Sequence, residues 1–585
     1  MNHPHFARPL CLFWAVLSFA VSLPAQQVPV IEKQLSNGMK LLMVERHDDP
    51  SVAGAWVAHV GSANERPGIT GIAHLFEHMM FKGTTNIGTK DFKRDLEVIA
   101  EQEAVRDQMR AEEAKTRAAY RRGEVDDVLK PESKTGRYRE LEKKFNALVN
   151  EQRQLLVKNE FDRIYTEAGG SGMNAFTSED MTAYFINVPA NKLELWMWME
   201  SERLLRPVFR EFYAERDVVF EERRMRTEST PLGKFAETFN AMFWESHPYN
   251  WPVVGWPSDI PSITKAQADE FYATYYAPQN ITMILVGDLN PEKTFAAAEQ
   301  YFSRIPRGAK DAPDVVTLEV PQQAEKRMNA EAETNPQVDI LWHTVGFGHR
   351  DSYALSILGQ ILSGRTGRLY KGLVLGTQVA TQAGAGQNSQ KWAGAFNISG
   401  EAKDGRTPEE VEQGIYAEIE KLKQEEVPAD ELQKVKNNYA ASEYRKLTSN
   451  TAILFQLIFN TGLGNWREVN EGGAKYQAVT AADLKRVTAK YLTKENRTVA
   501  IYTRKVSAKT AEDPDLAGLN AEQRTAVQQM TSRLKTASDP AKLQAALARM
   551  DEGAAQVPAE MKPVLEIVKK KMQARLAELE GGKKN

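Results

Sequence analysis

Apolar and polar residues alternate from Val28 to Val60 around the dipeptide Asn37-Gly38, with Ile31, Leu35, Met39, Leu41 and Met43 on the apolar beat. A period of two across Asn-Gly predicts a β-hairpin. The apolar run Ser51 to Val60 predicts a buried strand after it. His47 and His59 fall on or beside these strands, off any ligand spacing, and read as structural or surface residues. From about Phe92 to Tyr165 the period becomes helical: Leu96, Ile99, Val105 and Met109, then Leu141, Phe145, Leu148 and Leu155 beyond the breaks at Pro131 and Gly136. Two long helices forming a projecting hairpin are expected, a solvated pair by default and a partner-docking arm as the alternative. Gly169-Gly170 marks a turn, and the β formers from Asn174 to Phe185 predict a strand. Lys192–Leu205, with Trp196 and Trp198, predicts an amphipathic helix, and Glu211–Arg224 another.

The pattern then repeats. Ile281–Leu289 reads as a strand and Pro291–Ile305 as a helix. Pro306 to Gln323, rich in Pro, Asp and Lys, reads as a linker. Strands near Ala330 and over Val338–Val345 open a second unit, and a helix over Asp351–Leu362 follows. Strands near Ala383 and Ala395 come next, with helices over Pro408–Gln424 and Ala429–Leu447. The stretch Pro514–Glu580 is polar helix, with Val527, Met530, Leu534, Leu543, Leu547 and Met550 at helical spacing, and reads as a small appended bundle or tail.

Composition bounds the function. At 585 residues the chain is too long for one core. A net charge of −3, with 26% charged and 42% hydrophobic residues, is ordinary for a globular protein and gives nucleic acid no basic surface. Residues 1–25 read as a secretory signal, with an N-terminal anchor as the alternative: His3, His5 and Arg8 precede an apolar run, Pro9–Leu23, too short to span a bilayer comfortably. No later run is long enough to span, so a secreted or periplasmic mature chain is expected. Its single cysteine, Cys11, sits inside that signal, which leaves no disulfide and confines any metal site to His and carboxylates.

Candidate chemistry concentrates in Gly71–Thr84, at His74-x-x-Glu77-His78. Helical residues four apart share a face, so His74 and His78 would aim two imidazoles at one point, as a tetrahedral zinc site requires. Glu77 borders that face and could hold a water beside the metal and take its proton. The order is the inverse of His-Glu-x-x-His. A third ligand must lie elsewhere. Glu215 and Glu222, two helical turns apart, share a face and supply a candidate ligand with a supporting carboxylate. His343 and His349 carry no ligand pattern, so the second unit repeats the first without its metal motif.

Several stretches together resemble the M16 metallopeptidase family, the group with pitrilysin, insulin-degrading enzyme and the mitochondrial processing peptidase. They are the Leu35–Gly38 hairpin, Gly61-Ser62 with Glu65, Gly71–Thr84, and Gly169-Gly170 with Asn174–Thr177 and Tyr184. The others are Glu215–Glu222, His247-Pro248-Tyr249 with Gly255-Trp256, and Val286-Gly287-Asp288. The resemblance spans about Val28 to Arg504. It implies an α+β fold of two homologous domains, each an antiparallel sheet packed with helices. The domains would be 26–310, with a helical hairpin inserted at about 92–165, and 327–505. A linker, 311–326, would join them, and a helical tail, 506–585, would follow. By position it implies one zinc per chain held by His74, His78 and Glu222, Glu77 as the base, Glu215 as the supporting carboxylate, and Asn174 and Ala175 as the edge that receives extended substrate. His78 and Glu222 stand much farther apart than in typical members, and the inserted arm accounts for the excess. It should leave the ligands undisturbed if it exits and re-enters at neighbouring points.

The activity implied is zinc-dependent endopeptidase cleavage of peptides or unfolded segments in a closed chamber. Family chambers enclose peptide with four such domains, and this chain supplies two. The Arg and Tyr that hold substrate in active members align here with Val374 and Thr381. A second, related subunit carrying that pair is therefore expected, with a homodimer as the alternative. A non-catalytic assembly or chaperone-type subunit is the competing class.

Overall fold

The computed structural model describes residues 27–505, 514–516, 518–531, 534, 537, 539–554 and 557–581. The signal expected over residues 1–25 lies outside them. Strands β1 (Ile31–Gln34), β2 (Lys40–Glu45) and β3 (Ser51–Ala58) precede helix α1 (Ile72–Met79). Helices α2 (Phe92–Arg121), α3 (Gly136–Leu155) and α4 (Glu160–Glu167) follow, then β4 (Ser171–Thr177) and β5 (Thr182–Pro189). Helices α5 (Leu193–Leu205), α6 (Phe212–Arg223), α7 (Gly233–Phe243) and α8 (Lys265–Tyr275), strand β6 (Ile281–Gly287) and helix α9 (Pro291–Phe302) complete the first half. The second half runs β7 (Lys326–Ala332), β8 (Gln337–Val345), α10 (Arg350–Leu362), β9 (Ala380–Ser389), β10 (Ala393–Ala402), α11 (Pro408–Gln424) and α12 (Ala429–Arg445). It ends with α13 (Asn450–Gly462), α14 (Glu468–Ala478), α15 (Ala481–Tyr491) and β11 (Arg497–Arg504).

The first sheet has the order β1-β2-β6-β3-β5-β4, and the second β7-β11-β8-β10-β9. Without β1 the two orders are the same, so the internal repeat holds strand for strand. The sheets are antiparallel save one pair in each, β2–β6 and β7–β11, where the last strand of the unit slots in beside the first and runs the same way. β4 and β9 are the matching edges.

Strand β3 is apolar on both faces because both are covered. Trp56 and Met283 look into the main core with α1 and α5. Ala53, Ala55 and Val57 meet Ile453, Leu454 and Leu457 of α13 on the opposite face. Helix α7 returns the favour: Phe239 packs on Ala330, Ala500 and Tyr502 of the second sheet, and the Phe243 ring stacks on His343 at 3.9 Å. Each half thus lends a helix to the other's sheet, and the described residues from 27 through Arg504 form one compact unit. The second unit starts at Lys505. In it, α16 (Ala521–Thr531), α17 (Pro540–Gly553) and α18 (Lys562–Gly581) close over Val527, Leu543, Val564 and Val568. Among the described residues, no helix is long and apolar enough to cross a membrane.

Three expectations change. Asn174–Phe185 is not one strand but the β4–β5 hairpin, because Ser178 N–H donates to the Met181 carbonyl and closes a turn. Met530 is 52% exposed and does not join its bundle's core. The arm's inward stripe also begins one residue earlier than expected, with Asp95 and Val98 in place of Leu96 and Ile99, while Val105 and Met109 are buried as expected. Leu96 is 42% exposed, while Asp95, Val98, Gln102, Val105 and Met109 face inward.

Asp95 explains the shift. Its buried carboxylate accepts from Arg210 Nε at 2.6 Å and from the Gln152 amide at 2.9 Å. Arg210 also donates to the carbonyls of Lys82 (3.1 Å), Ile87 (3.1 Å) and Thr84 (2.7 Å). The first and last turns of the arm are thereby fastened to the loop leaving α1. Removing one member of a buried pair leaves an uncompensated charge. Asp95→Ala is therefore expected to lower stability by about 3–5 kcal/mol. Urea unfolding checks this, and Asp95→Leu with Arg210→Met should lose less.

Candidate metal centre and substrate cleft

The site is built on α1, α6 and the edge strand β4. Helix α1 starts at Gly71, whose φ of +91° favours glycine; a Cβ there would lie 2.4 Å from the Val254 carbonyl oxygen. The first free N–H groups of the helix are met from outside it. Glu65 accepts from Gly71 at 2.9 Å and from Ala73 at 2.8 Å, fixing the start of the turn that carries the motif. At the other end Tyr184 donates to the Phe76 carbonyl at 3.0 Å.

His74 and His78 project from one face, with ring centroids 5.0 Å apart. Helix α6 brings Glu222 to them. One Glu222 oxygen lies 3.4 Å from His78 Nε2 and 3.8 Å from His74 Nε2. Ligand atoms of the three residues all fall within 4.8 Å of one another, and among the described residues they are the sole such group. Glu215, two turns earlier on α6, accepts from His78 Nδ1 at 3.0 Å. That bond places a proton on Nδ1 and turns Nε2 toward Glu222. Glu215 is itself held by Lys82 at 2.5 Å.

The electrostatics suit a cation. His74 is 7% exposed, and burial pushes its pKa down to about 3, with the positive charges of His78 and Arg226 adding to the effect. Its imidazole is therefore neutral, and its buried Nδ1 has no hydrogen-bond partner. Burial opposes charge on His78, but the bond and charge of Glu215, with Glu222 and Glu77, raise its pKa. Two imidazole nitrogens and a carboxylate oxygen are the donor set of a catalytic zinc site, which keeps its remaining position open. The residues fit the metal.

Glu77 stands beside this group. Burial raises its pKa, against a hydrogen bond from Thr177 Oγ1 at 2.8 Å. Thr177 ends β4, the free edge of the sheet, which also carries Asn174 and Ala175. Asn174 is exposed and Ala175 buried. A cleft of about 500 Å³ opens between this edge, Glu77, His78 and the segment 156–161 that returns from the arm.

The structure thus brings His74, Glu77, His78, Glu215 and Glu222 together, with Asn174 and Ala175 alongside. Sequence reading missed four contributors. Glu65 was noted only in the resemblance, and its role as an outside cap has no local signal. Thr177 lies in the stretch of resemblance, but nothing in its sequence context points to its bond with Glu77. Lys82 lies four residues after His78, a spacing that was legible. Arg226 lies four after Glu222 and donates to the second Glu222 oxygen at 2.8 Å while 75% exposed. A π-helical turn, Arg224–Glu228, directly follows α6 and contains it.

The comparisons agree with this architecture. The family model described as "Insulinase (Peptidase family M16)" matches residues 40–120, and "Peptidase M16 inactive domain" matches residues 262–439. A zinc protease of Helicobacter pylori, PqqE, is 27% identical over 428 residues, covering 72% of this chain and 80% of that protein. An uncharacterized zinc protease of Mycobacterium bovis is 29% identical over 202 residues, 34% of this chain and 46% of that one. Among solved structures, a protease from Helicobacter pylori superposes with a TM-score of 0.66 at 24% identity, covering 82% of this chain and all (100%) of that one. The periplasmic protease PqqL from Escherichia coli superposes with a TM-score of 0.59 at 17% identity, covering 83% of this chain but 48% of that one. With M16 models matching stretches of both halves, and with solved structures sharing its fold, the chain belongs to the M16 peptidase family.

Proposed function

We propose that this chain is a zinc-dependent endopeptidase acting on peptides or unfolded polypeptide segments, with one zinc held by His74, His78 and Glu222. The observation that carries the reading is the convergence of those three side chains beside Glu77. Zinc, when bound there, supplies a Lewis acid that polarises a carbonyl and lowers the pKa of water. Glu77 takes the proton of the attacking water on its carboxylate and passes it to the leaving nitrogen. Its raised pKa suits a group that must hold that proton between the two events. Glu215 keeps His78 in the tautomer that faces Glu222, and Lys82 keeps Glu215 in place. Substrate adds as a strand along β4 at Asn174 and Ala175, where main-chain bonds give affinity and side-chain pockets give specificity. The apolar leader read from residues 9–23 supports a periplasmic or secreted location.

The chain works with a second M16-type subunit in a closed chamber. Val374 lies in the helical turn Tyr370–Gly376, and Thr381 on β9 bonds to Glu401 at 2.9 Å. Neither can replace an Arg or a Tyr toward substrate. Arg368, nearby, is spent on Glu431 at 2.7 Å. That this chain covers 48% of PqqL is in keeping with a half-chamber. Isolated chain is expected to cleave an unstructured peptide poorly and to gain turnover with a related subunit that carries the pair. Full turnover by a pure homodimer, unchanged on adding cell extract, would rule that subunit out.

A second reading has one observation in its favour: the description of the match over residues 262–439 as an inactive domain. In it the chain is a non-catalytic assembly or chaperone-type subunit. Zinc content together with cleavage of a quenched peptide separates the two.

A further inference from the structure

Much of the wall of the cleft beside Glu77 comes from the helical insertion. The segment returning from α3 is stitched to the loop that leaves α1. Val157 N–H donates to the Gly88 carbonyl at 3.1 Å, and Lys90 N–H to the Leu155 carbonyl at 2.8 Å. Gly88 N–H donates to Glu160 at 2.7 Å, and Thr89 and Leu156 form an antiparallel bridge. The buried Asp95–Arg210–Gln152 cluster closes the same seam. Residues 156–158 are therefore fixed to the motif helix's own exit, independently of the arm's distal end.

The charges of the cleft are largely matched from within. Lys82 is bound to Glu215 at 2.5 Å and lies 3.6 Å from Glu211. Glu160 takes the Gly88 N–H and pairs with Arg163 at 3.4 Å. Lys158 stays exposed at the rim. Leu156 and Val157 are half-buried and line this open volume together with Phe81, Ile87 and Phe161. An extended peptide along β4 points alternate side chains to opposite faces, so one side chain beside the cut bond meets this wall.

We propose that the insertion is a specificity element: Leu156 and Val157 complete a subsite for one large aliphatic or aromatic side chain flanking the cleaved bond. The proposal rests on the peptidase reading for the position of that bond. Burying such a side chain favours it over glycine by about 10–100-fold.

The test uses full-length chain loaded with zinc, together with the related subunit proposed above, and peptides that differ only in Leu, Phe, Ala, Gly or Asp on either side of one cleavable bond. Turnover is measured with the wild type, and binding of the same labelled peptides with Glu77→Gln. Leu and Phe should lead Gly by about 10–100-fold in both assays. Val157→Trp, which fills the cleft, should erase that ratio, and Leu156→Ala should reduce it, with zinc content reporting that each variant is folded. An unchanged ratio in both variants, or a preference for Asp, would overturn the proposal. Turnover without any preference removes the subsite and keeps the peptidase. Selective binding without turnover removes the peptidase and keeps the subsite. Neither turnover nor binding overturns both.

Discussion

Glu77→Gln is expected to keep its zinc while losing peptidase activity by about 10²–10⁴-fold, the worth of a positioned general base. The amide has the volume of the carboxylate, and its oxygen can still accept the Thr177 hydroxyl that now lies 2.8 Å from Glu77. It cannot take a proton from water. The loss should fall on kcat and kcat/KM alike, because the interaction is made only as the bond breaks. Thr177→Val, which removes an orienting bond and leaves the base, should cost less. Zinc analysis and quenched-peptide kinetics on the same preparations check both. If Glu77→Gln matches an active wild type, the proton goes elsewhere.

The second large effect concerns the metal. His74→Ala and Glu222→Gln should each lower zinc affinity by more than 10²-fold, whereas Glu215→Gln, which loses only a supporting bond, should cost about 10–100-fold. The ranking follows from position: His74 and Glu222 face the common point, and Glu215 reaches it only through His78. Competition with a chelator measures the affinities. Zinc that binds the folded chain also stabilises it, by about 4 kcal/mol at a thousandfold excess over Kd. That gain in thermal stability should vanish in His74→Ala. Full zinc retention by both ligand variants would remove the ligand assignment.

Much of this site was legible because helical spacing encodes a face. A spacing of four from His74 to His78, and of seven from Glu215 to Glu222, puts each pair on one side of its helix whatever the rest of the chain does. Bringing α6 to α1 is a tertiary event: spacing offers Glu215 and Glu222 as a candidate ligand and its support, and the family resemblance singles out Glu222 as the ligand. The repeat of the sheet was legible from recurring strand patterns. The exchange of α7 and α13 was not, since periodicity shows that a helix has an apolar face but not which sheet it covers. Asp95 was illegible for a related reason. A charged residue on an amphipathic helix reads as the solvent side, and Arg210, its reason for facing inward, lies far along the chain. The same contact explains why the arm, expected as a solvated projection, takes part in the cleft at its root.

The most direct measurement of the central claim is hydrolysis of a quenched, unstructured peptide by the full-length chain together with the second M16-type subunit proposed for it. It is followed before chelation, after chelation and after zinc is returned. The account predicts that hydrolysis stops on chelation, returns with about one zinc per chain, and stays absent throughout in Glu77→Gln. Hydrolysis indifferent to chelation, or zinc-loaded wild type that cleaves no peptide in the presence of its subunit, would contradict it.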